Sequence, residues 1–239
     1  MNNKRAIILC GGKGTRLKPY TVVLPKPLMP IGDYPIIEVI IRQLKFSGFN
    51  RITLAVNHQA DIFFAFFGNG KKWNIEIDYV QEKKPLGTMG ALSLIDDLPE
   101  DFLVMNGDTL TDIDFSQFFD QHRQSRANFS ISSFKRKQLV DFGVLNKSDE
   151  NYLTGFEEKP EFNFEVSMGV YMLNRAVVNF IPKDTFFGFD SLMINLLNVE
   201  EKINLIEFKG IWLDIGRPDD YIKAIEIYDK NKQKFLKEE

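Results

Sequence analysis

The sequence predicts an α/β fold: a single doubly wound, Rossmann-like mixed sheet whose C-terminal portion pairs antiparallel. Three observations carry that expectation. Strand and helix patterns alternate through the first half, which argues for a parallel sheet with crossover connections. The first apolar run, Ala6-Ile7-Ile8-Leu9, passes directly into the glycine-rich turn Gly11-Gly12-Lys13-Gly14. From about residue 129 the pattern changes to strands joined by short polar loops, which suits antiparallel pairing.

Residues 5–9 form the first strand. Tyr34-Pro35 opens a helix, because proline is accommodated in a first turn. Ile36, Ile37, Ile40, Ile41 and Leu44 recur at helical spacing, and Gly48 ends the run. A second strand over 51–56 precedes a second helix over 59–67. There, Ile62-Phe63-Phe64-Ala65-Phe66-Phe67 is apolar on every face, which predicts a helix buried between the sheet and its neighbours. The same stretch is compatible with a homo-oligomer interface. Strands at 75–80 and 102–105 bracket a helix at 88–95, and the latter strand stops at Asn106-Gly107-Asp108. Strands follow at 129–134, 143–146, 152–157 and 166–173. Helical segments near 174–180 and 188–198, strands at 203–208 and 211–213, and an amphipathic helix from Pro218 to Lys230 complete the order. The Lys/Glu-rich end, 231–239, reads as a fraying tail. Residues 1–239 thus read as one domain.

With 239 residues, 44% hydrophobic and 26% charged, the chain has ordinary globular composition. A net charge of −3 provides no field for gripping a nucleic-acid backbone, so no nucleic-acid partner is expected. A single cysteine, Cys10, excludes an intrachain disulfide and a Cys-based zinc cluster. It reads as a small buried residue. The two histidines, His58 and His122, are far apart, and His58 reads as a loop histidine bonded to backbone. The apolar run behind Lys4 and Arg5 falls short of the roughly 7–15 residues of a secretory signal, and no run approaches a membrane span. The expectation is a cytoplasmic protein without a membrane partner.

The chemistry starts at the glycine-rich turn. Glycines let backbone approach a polyphosphate, and its N–H groups can donate to phosphate oxygens. Arg16 and Lys26 add fixed positive charge nearby. Two familiar phosphate loops do not fit. Gly12-Lys13 is followed by Gly14 where a Walker A loop needs Ser or Thr, and Leu17 occupies the third glycine of a dinucleotide fingerprint. In open α/β sheets ligands sit outside the carboxyl ends of strands, and both the Gly11–Arg16 segment and Asp108 fall there.

The full pattern resembles a known family. Leu9-x-Gly11-Gly12-x-Gly14-Thr15-Arg16-Leu17-x-Pro19-x-Thr21, followed by Pro25-Lys26-Pro27-Leu28, is similar to the signature of the sugar-1-phosphate nucleotidyltransferases, or nucleotide-sugar pyrophosphorylases. The resemblance continues at Pro85-Leu86-Gly87-Thr88-x-Gly90-Ala91-Leu92, Asn106-Gly107-Asp108, Glu157-Glu158-Lys159-Pro160, Ser167-x-Gly169-Val170-Tyr171 and Trp212-Leu213-Asp214-Ile215-Gly216-Arg217-Pro218. It implies a nucleotide-diphospho-sugar transferase fold, with a nucleotide-binding half over about 1–112 and a sugar-phosphate-binding half over about 113–230. It also implies the reaction of a sugar-1-phosphate with an NTP to give NDP-sugar and pyrophosphate. A phosphate oxygen attacks the α-phosphorus in line. That oxygen is ionised at neutral pH, so the enzyme's task is to join two anions and stabilise the departing charge.

The resemblance assigns roles. Gly11, Gly12, Gly14 and Thr15 would hold the NTP phosphates, Arg16 the leaving phosphates, and Lys26 the reacting ones. Asp108 and Asp214 would hold Mg²⁺, since two carboxylates with water and phosphate oxygens suit that ion better than zinc. Glu158 would accept from sugar hydroxyls and Lys159 would pair with the sugar phosphate. Strand alternation sets these two on opposite faces unless the chain bends, and Pro160 favours a bend. Gly143, in Asp141-Phe142-Gly143-Val144, resembles the family's Tyr-Gly-Val with Phe in place of Tyr. Asn106, Ser167 and Gly169 are further sugar or phosphate contacts. Base recognition would involve Leu9, Gly11, Gln81 or Glu82, and Gly87. Glutamine can read an imide edge, whereas a carboxylate can accept from guanine N1–H and its N2 amine, so the base stays open on these two residues. The motif style is closer to the mannose- and heptose-1-phosphate guanylyltransferases, and GTP is favoured. Thymidylyl enzymes usually show Lys-Gln-Leu after the glycine loop, which is missing here.

Alternatives are a thymidylyl-, uridylyl- or cytidylyltransferase, an enzyme using another phosphate acceptor such as choline phosphate, and a catalytically silent nucleotide-sugar-binding regulatory subunit. The presence of Arg16, Lys26, Asp108 and Asp214 argues against the last. Glu158-Lys159 suits a hydroxylated sugar phosphate better than a quaternary ammonium. The chain ends just after the last helix, without a β-helical acyltransferase extension, so a single activity is expected.

Overall fold

The computed structural model describes residues 4–12, 14–57 and 59–236, so the expectation for His58 falls outside the described residues. The first half runs β1 (Lys4–Leu9), β2 (Pro30–Ile31), β3 (Tyr34–Pro35), α1 (Ile36–Phe46), β4 (Phe49–Val56), α2 (Ala60–Phe67), β5 (Glu76–Gln81), α3 (Gly87–Gly90), β6 (Asp101–Asn106), β7 (Thr109–Thr111) and α4 (Phe115–Ser125). The second runs β8 (Phe129–Leu139), β9 (Gly143–Lys147), β10 (Leu153–Glu158), β11 (Glu161–Asn174), α5 (Phe189–Asn198), β12 (Ile203–Phe208), β13 (Trp212–Asp214) and α6 (Pro218–Phe235).

Seven strands share one mixed sheet in the order β12-β8-β11-β6-β1-β4-β5. β1 pairs parallel with β4 and β6, β4 with β5, and β12 with β8. β11 alone is antiparallel to its neighbours. The expected antiparallel C-terminal portion is present as β11 with its two neighbours, the separate β9–β10 hairpin and the β13–β7 pair, while β12 lies parallel to β8. β12 departs from it because a helical stretch separates it from β11, and it docks on the free edge of β8.

Both faces of the sheet are covered. On β1, Ala6 and Ile8 belong to a core packed by α1, α4 and α6, whereas Ile7 belongs to the opposite core with Met89, Leu92, Leu192 and Leu196. That split follows from strand alternation. Ala6, Ile7 and Ile8 have no accessible surface, which is why the run is apolar without a break.

Four expectations need correction. In α2, Phe63 and Phe67 are buried, but Phe64 and Phe66 are 60% and 50% exposed. Residues four apart share a helix face, so only one side of this helix meets the core. The helix expected over 88–95 is one short turn, α3, continued as a 3-10 turn over 91–94, and 175–180 is likewise 3-10. α4 has no counterpart among the elements expected from the sequence. Asp114 caps it, accepting from the backbone N–H groups of Ser116 and Gln117, each at 3.0 Å. Finally, 231–235 is helix rather than tail: Phe235 is fully buried with its ring 5.5 Å from that of Tyr228. Among the described residues, no helix is long and apolar enough to cross a membrane.

Candidate functional site

Leu9 ends β1 between Ala55 of β4 and Asn106 of β6, so the chain leaves the sheet at the carboxyl ends of three strands. The exit is fixed by backbone. Cys10 N–H donates to Ala55 C=O at 2.8 Å, and Gly107 N–H donates to Leu9 C=O at 3.0 Å. Asn57 donates its side-chain amide to Gly11 C=O. Gly14 has φ +58°, and the Thr21 hydroxyl donates to its carbonyl at 2.6 Å. Gly12 faces solvent, and so do Thr15 and Arg16 just beyond Gly14. The backbone is thus held on either side of the turn, at Gly11 and at Gly14.

Lys26 begins a 3-10 turn in the proline-flanked Pro25-Lys26-Pro27 segment and is only 8% exposed. Its ammonium pairs with the carboxylate of Asp108, which sits between β6 and β7. A nearly buried lysine demands such a partner. β7 and β13 pair antiparallel with Thr109 opposite Asp214, which brings a second carboxylate beside the first. Crowding by protein pushes the Asp214 carboxyl up, and the charge of Asp108 adds to this, while Lys26 and Arg16 oppose it. Arg16 lies near the turn after β13: a Cβ on Gly216 would stand 3.7 Å from Nη1. Four expected residues thus converge from three distant segments: Arg16 and Lys26 from the stretch between β1 and β2, Asp108 from the end of β6, and Asp214 from β13. Cys10 lies beneath them, 2% exposed, with its thiol pushed well above its ordinary range by burial and then by Asp108. A protonated, buried thiol is chemically inert here.

On one flank Glu82 reaches the loop. Its Oε2 accepts from Leu86 N–H at 3.0 Å, and a Cβ on Gly11 would meet its Oε1 at 3.2 Å. Burial pushes its carboxyl up against the lowering effect of the Leu86 amide. Gln81 is exposed, its amide donating to Asn57 C=O at 3.5 Å. Gly87 needs to be glycine: its φ is +77°, and a Cβ would sit 2.8 Å from the Phe187 carbonyl oxygen. On the other flank Asn106 crowds Gly169, whose φ is +75°. Gly169 N–H donates to the Ser167 hydroxyl at 3.3 Å, where the β8–β11 register shifts. The sequence-predicted residues Leu9, Gly11, Gly12, Gly14, Thr15, Glu82, Asn106 and Gly169 therefore surround the charged cluster.

Gly143, Glu158 and Lys159 form a separate group. Gly143 pairs with Glu158 across the β9–β10 hairpin. Lys159 has φ +47°, the anticipated bend, and pairs with Asp141 at 3.0 Å. All three are exposed, and among the described residues no hydrogen bond or ion pair joins them to the loop. Asn57, which fixes Gly11, is absent from the residues expected from the sequence. Its position at the carboxyl end of β4 is the signal that could have found it.

A family model described as Nucleotidyl transferase matches residues 5–231. The chain is 29% identical over 225 residues to the mannose-1-phosphate guanylyltransferase of Mycobacterium tuberculosis, covering 92% of this chain and 63% of that protein. It is 32% identical over 241 residues to the mannose-1-phosphate guanyltransferase of Yarrowia lipolytica, covering 94% and 64%. The chain thus spans somewhat under two thirds of the length of these relatives. A crystal structure of HddC from Yersinia pseudotuberculosis complexed with GMP-PN is similar, with a TM-score of 0.69 and 27% identity over 94% of this chain and 99% of that one.

Proposed function

The chain belongs to the nucleotidyl transferase family, and from that premise we propose that it transfers a guanylyl group from GTP to a sugar-1-phosphate, giving a GDP-sugar and pyrophosphate. Mannose-1-phosphate is the first candidate acceptor, because the relatives named above carry that substrate in their names. The observation that carries the reading is the convergence of Arg16, Lys26, Asp108 and Asp214 on one glycine loop.

In this reading backbone N–H groups of the glycine loop receive the triphosphate. Arg16 spreads charge over the departing pyrophosphate, and Lys26 neutralises the two phosphates that react. Lys26 is preorganised by Asp108, so little reorganisation accompanies the reaction. Residues 1–112 hold the nucleotide and 113–230 the sugar phosphate, with Gly143, Glu158, Lys159 and Ser167 on the sugar side. Glu82, anchored through one oxygen by Leu86, is the group suited to guanine N1–H and N2, which favours it over Gln81.

The donor set fits Mg²⁺. The charge of Asp108 helps to raise the Asp214 carboxyl, and a divalent cation relieves that repulsion. Among the described residues no three His, Cys, Asp or Glu side chains form a complete protein site, so phosphate oxygens and water would supply the remaining ligands. When bound, the ion supplies charge neutralisation for the triphosphate and the leaving group. Cytoplasmic synthesis of a cell-surface polysaccharide precursor belongs to the same reading.

The test is a matrix of five NTPs against a panel of sugar-1-phosphates, scored by pyrophosphate release. GTP with mannose-1-phosphate, or a related hexose or heptose phosphate, is expected to exceed every UTP, dTTP, CTP and ATP pairing. Release with no pairing, or a clear preference for dTTP, would defeat the proposal.

A further inference from the structure

We propose that Asn57 is a positioning residue of the nucleotide half: by holding the Gly11 carbonyl it fixes the way the Gly11–Gly12 peptide faces. This rests on the proposed transfer reaction, in which backbone N–H groups of the glycine loop receive a triphosphate. A peptide unit is planar, with its C=O and N–H pointing in opposite directions. The carbonyl of Gly11 and the N–H of Gly12 belong to one such unit. Anchoring the first therefore aims the second.

Rotation of this unit meets little resistance of its own. Both flanking residues are glycine, so no side chain restricts either one. Gly12 is exposed, and among the described residues a Cβ on it would meet nothing within 4 Å. The restraint comes from the side-chain amide of Asn57, which donates to Gly11 C=O.

The anchor is itself held. Gln59 N–H donates to Asn57 Oδ1 at 3.3 Å, which leaves the amide nitrogen to face Gly11. Each end of the amide is thereby engaged, so Asn57 acts through Gly11 and takes no phosphate itself. Its backbone is fixed as well. Ala60 N–H donates to Asn57 C=O at 3.2 Å, and Glu82 N–H donates to Val56 C=O at 2.9 Å. The second bond ties the end of β4 to Glu82, whose Oε1 would stand 3.2 Å from a Cβ on Gly11. The carboxyl ends of β1, β4 and β5 are thus linked side to side, and Asn57 is the middle link.

A purely structural asparagine here would only open α2. The bond from Gln59 N–H to Oδ1 is an Asx turn, and that duty needs the oxygen alone. Aspartate would perform it equally well. The bond to Gly11 needs the nitrogen. The two roles therefore separate in one substitution, Asn57→Asp, with Asn57→Ala as the uncharged companion.

Calorimetric titration of the full chain with inorganic tripolyphosphate, GTP and dTTP tests the proposal. Both variants are expected to bind all three ligands about tenfold more weakly than the wild type, the scale of one lost hydrogen bond. Asn57→Asp should keep the wild-type melting temperature. A second readout needs no ligand. The Gly12 amide resonance of the free protein should shift or broaden in both variants. The Leu17 amide, which donates to Gly14 C=O at 2.9 Å, should stay in place. The relative affinity of GTP and dTTP for the wild type speaks to the guanylyl reading alone. The proposal is overturned if the wild type does not bind tripolyphosphate, or if Asn57→Ala binds it as tightly as the wild type. Weakening in Asn57→Asp alone would mark simple charge repulsion and overturn it too, as would an unmoved Gly12 resonance.

Discussion

The loop around Asp108 and the arm around Lys159 are both read as phosphate-gripping, yet they are built in opposite ways. At the loop, Lys26 is nearly buried and already paired, and the backbone is tied down by Asn57, Gly107 and Thr21. At the arm, Gly143, Glu158 and Lys159 are exposed on a two-stranded hairpin, and Phe142 and Phe156 face solvent at 77% and 61%. The contrast teaches a division of labour. In the proposed reaction the loop side would be preorganised for the group that carries most charge, whereas the exposed arm would gain its grip from the acceptor.

The strongest way to break this comparison is Asp108→Asn. It keeps size and shape but removes the charge that positions Lys26 and faces Asp214. Turnover should fall by about 10²–10³-fold, the usual effect of losing one preorganised electrostatic group. The melting temperature should stay within a few degrees. Near wild-type turnover with Mg²⁺ present would remove Asp108 from the machinery. Next in size is Gly169→Ala. The new Cβ would strike the Asn106 amide at φ +75°, a backbone region that side chains avoid. Such strain costs about 1–3 kcal/mol. Urea unfolding should show the loss, and Asn106→Ala should recover part of it by removing the obstacle.

Much of the fold and of the loop side is legible in the amino-acid order itself. Pro25-Lys26-Pro27 and Asn106-Gly107-Asp108 stand out because local chemistry marks them: prolines fix a turn, and a carboxylate ends an apolar strand. What stays hidden is long-range. Only the family resemblance sets Asp214 with Asp108; the chemistry of the residues around Asp214 does not announce the β13–β7 pairing that brings the two carboxylates together. α4 is hidden for a different reason: its buried stripe of Phe115, Phe118, Phe119 and His122 ends in a histidine and is diluted by polar residues. The end of α6 is hidden because lysines outnumber the one residue, Phe235, that anchors it.

Lys159→Ala sharpens the comparison from the arm side. The lysine is exposed and its pair with Asp141 is a surface pair, so stability should not change. KM for the sugar phosphate should rise about tenfold, the size of one charge-assisted contact of about 1.4 kcal/mol, with KM for GTP unchanged. Equal effects on both substrates would place Lys159 outside the acceptor pocket.

The smallest effect concerns acid. At the amino end of β1, opposite the loop, buried Arg5 donates to Asp97 at 2.8 Å and Arg51 donates to it at 2.6 Å. The Arg5 hydrogen bond first, then that of Arg51, pulls the Asp97 carboxyl down to about 2. Its unfolded value is about 3.9, so this contribution is present above about pH 4 and is lost as pH falls toward 2. Because Asp97 is largely exposed, solvent screening holds the effect below about 1 kcal/mol. Thermal melts between pH 2 and 5 should therefore be flatter for Asp97→Asn than for the wild type. A variant curve as steep as that of the wild type would show that this carboxylate does not serve the fold, and that the end of β1 opposite the loop is not held by its charges.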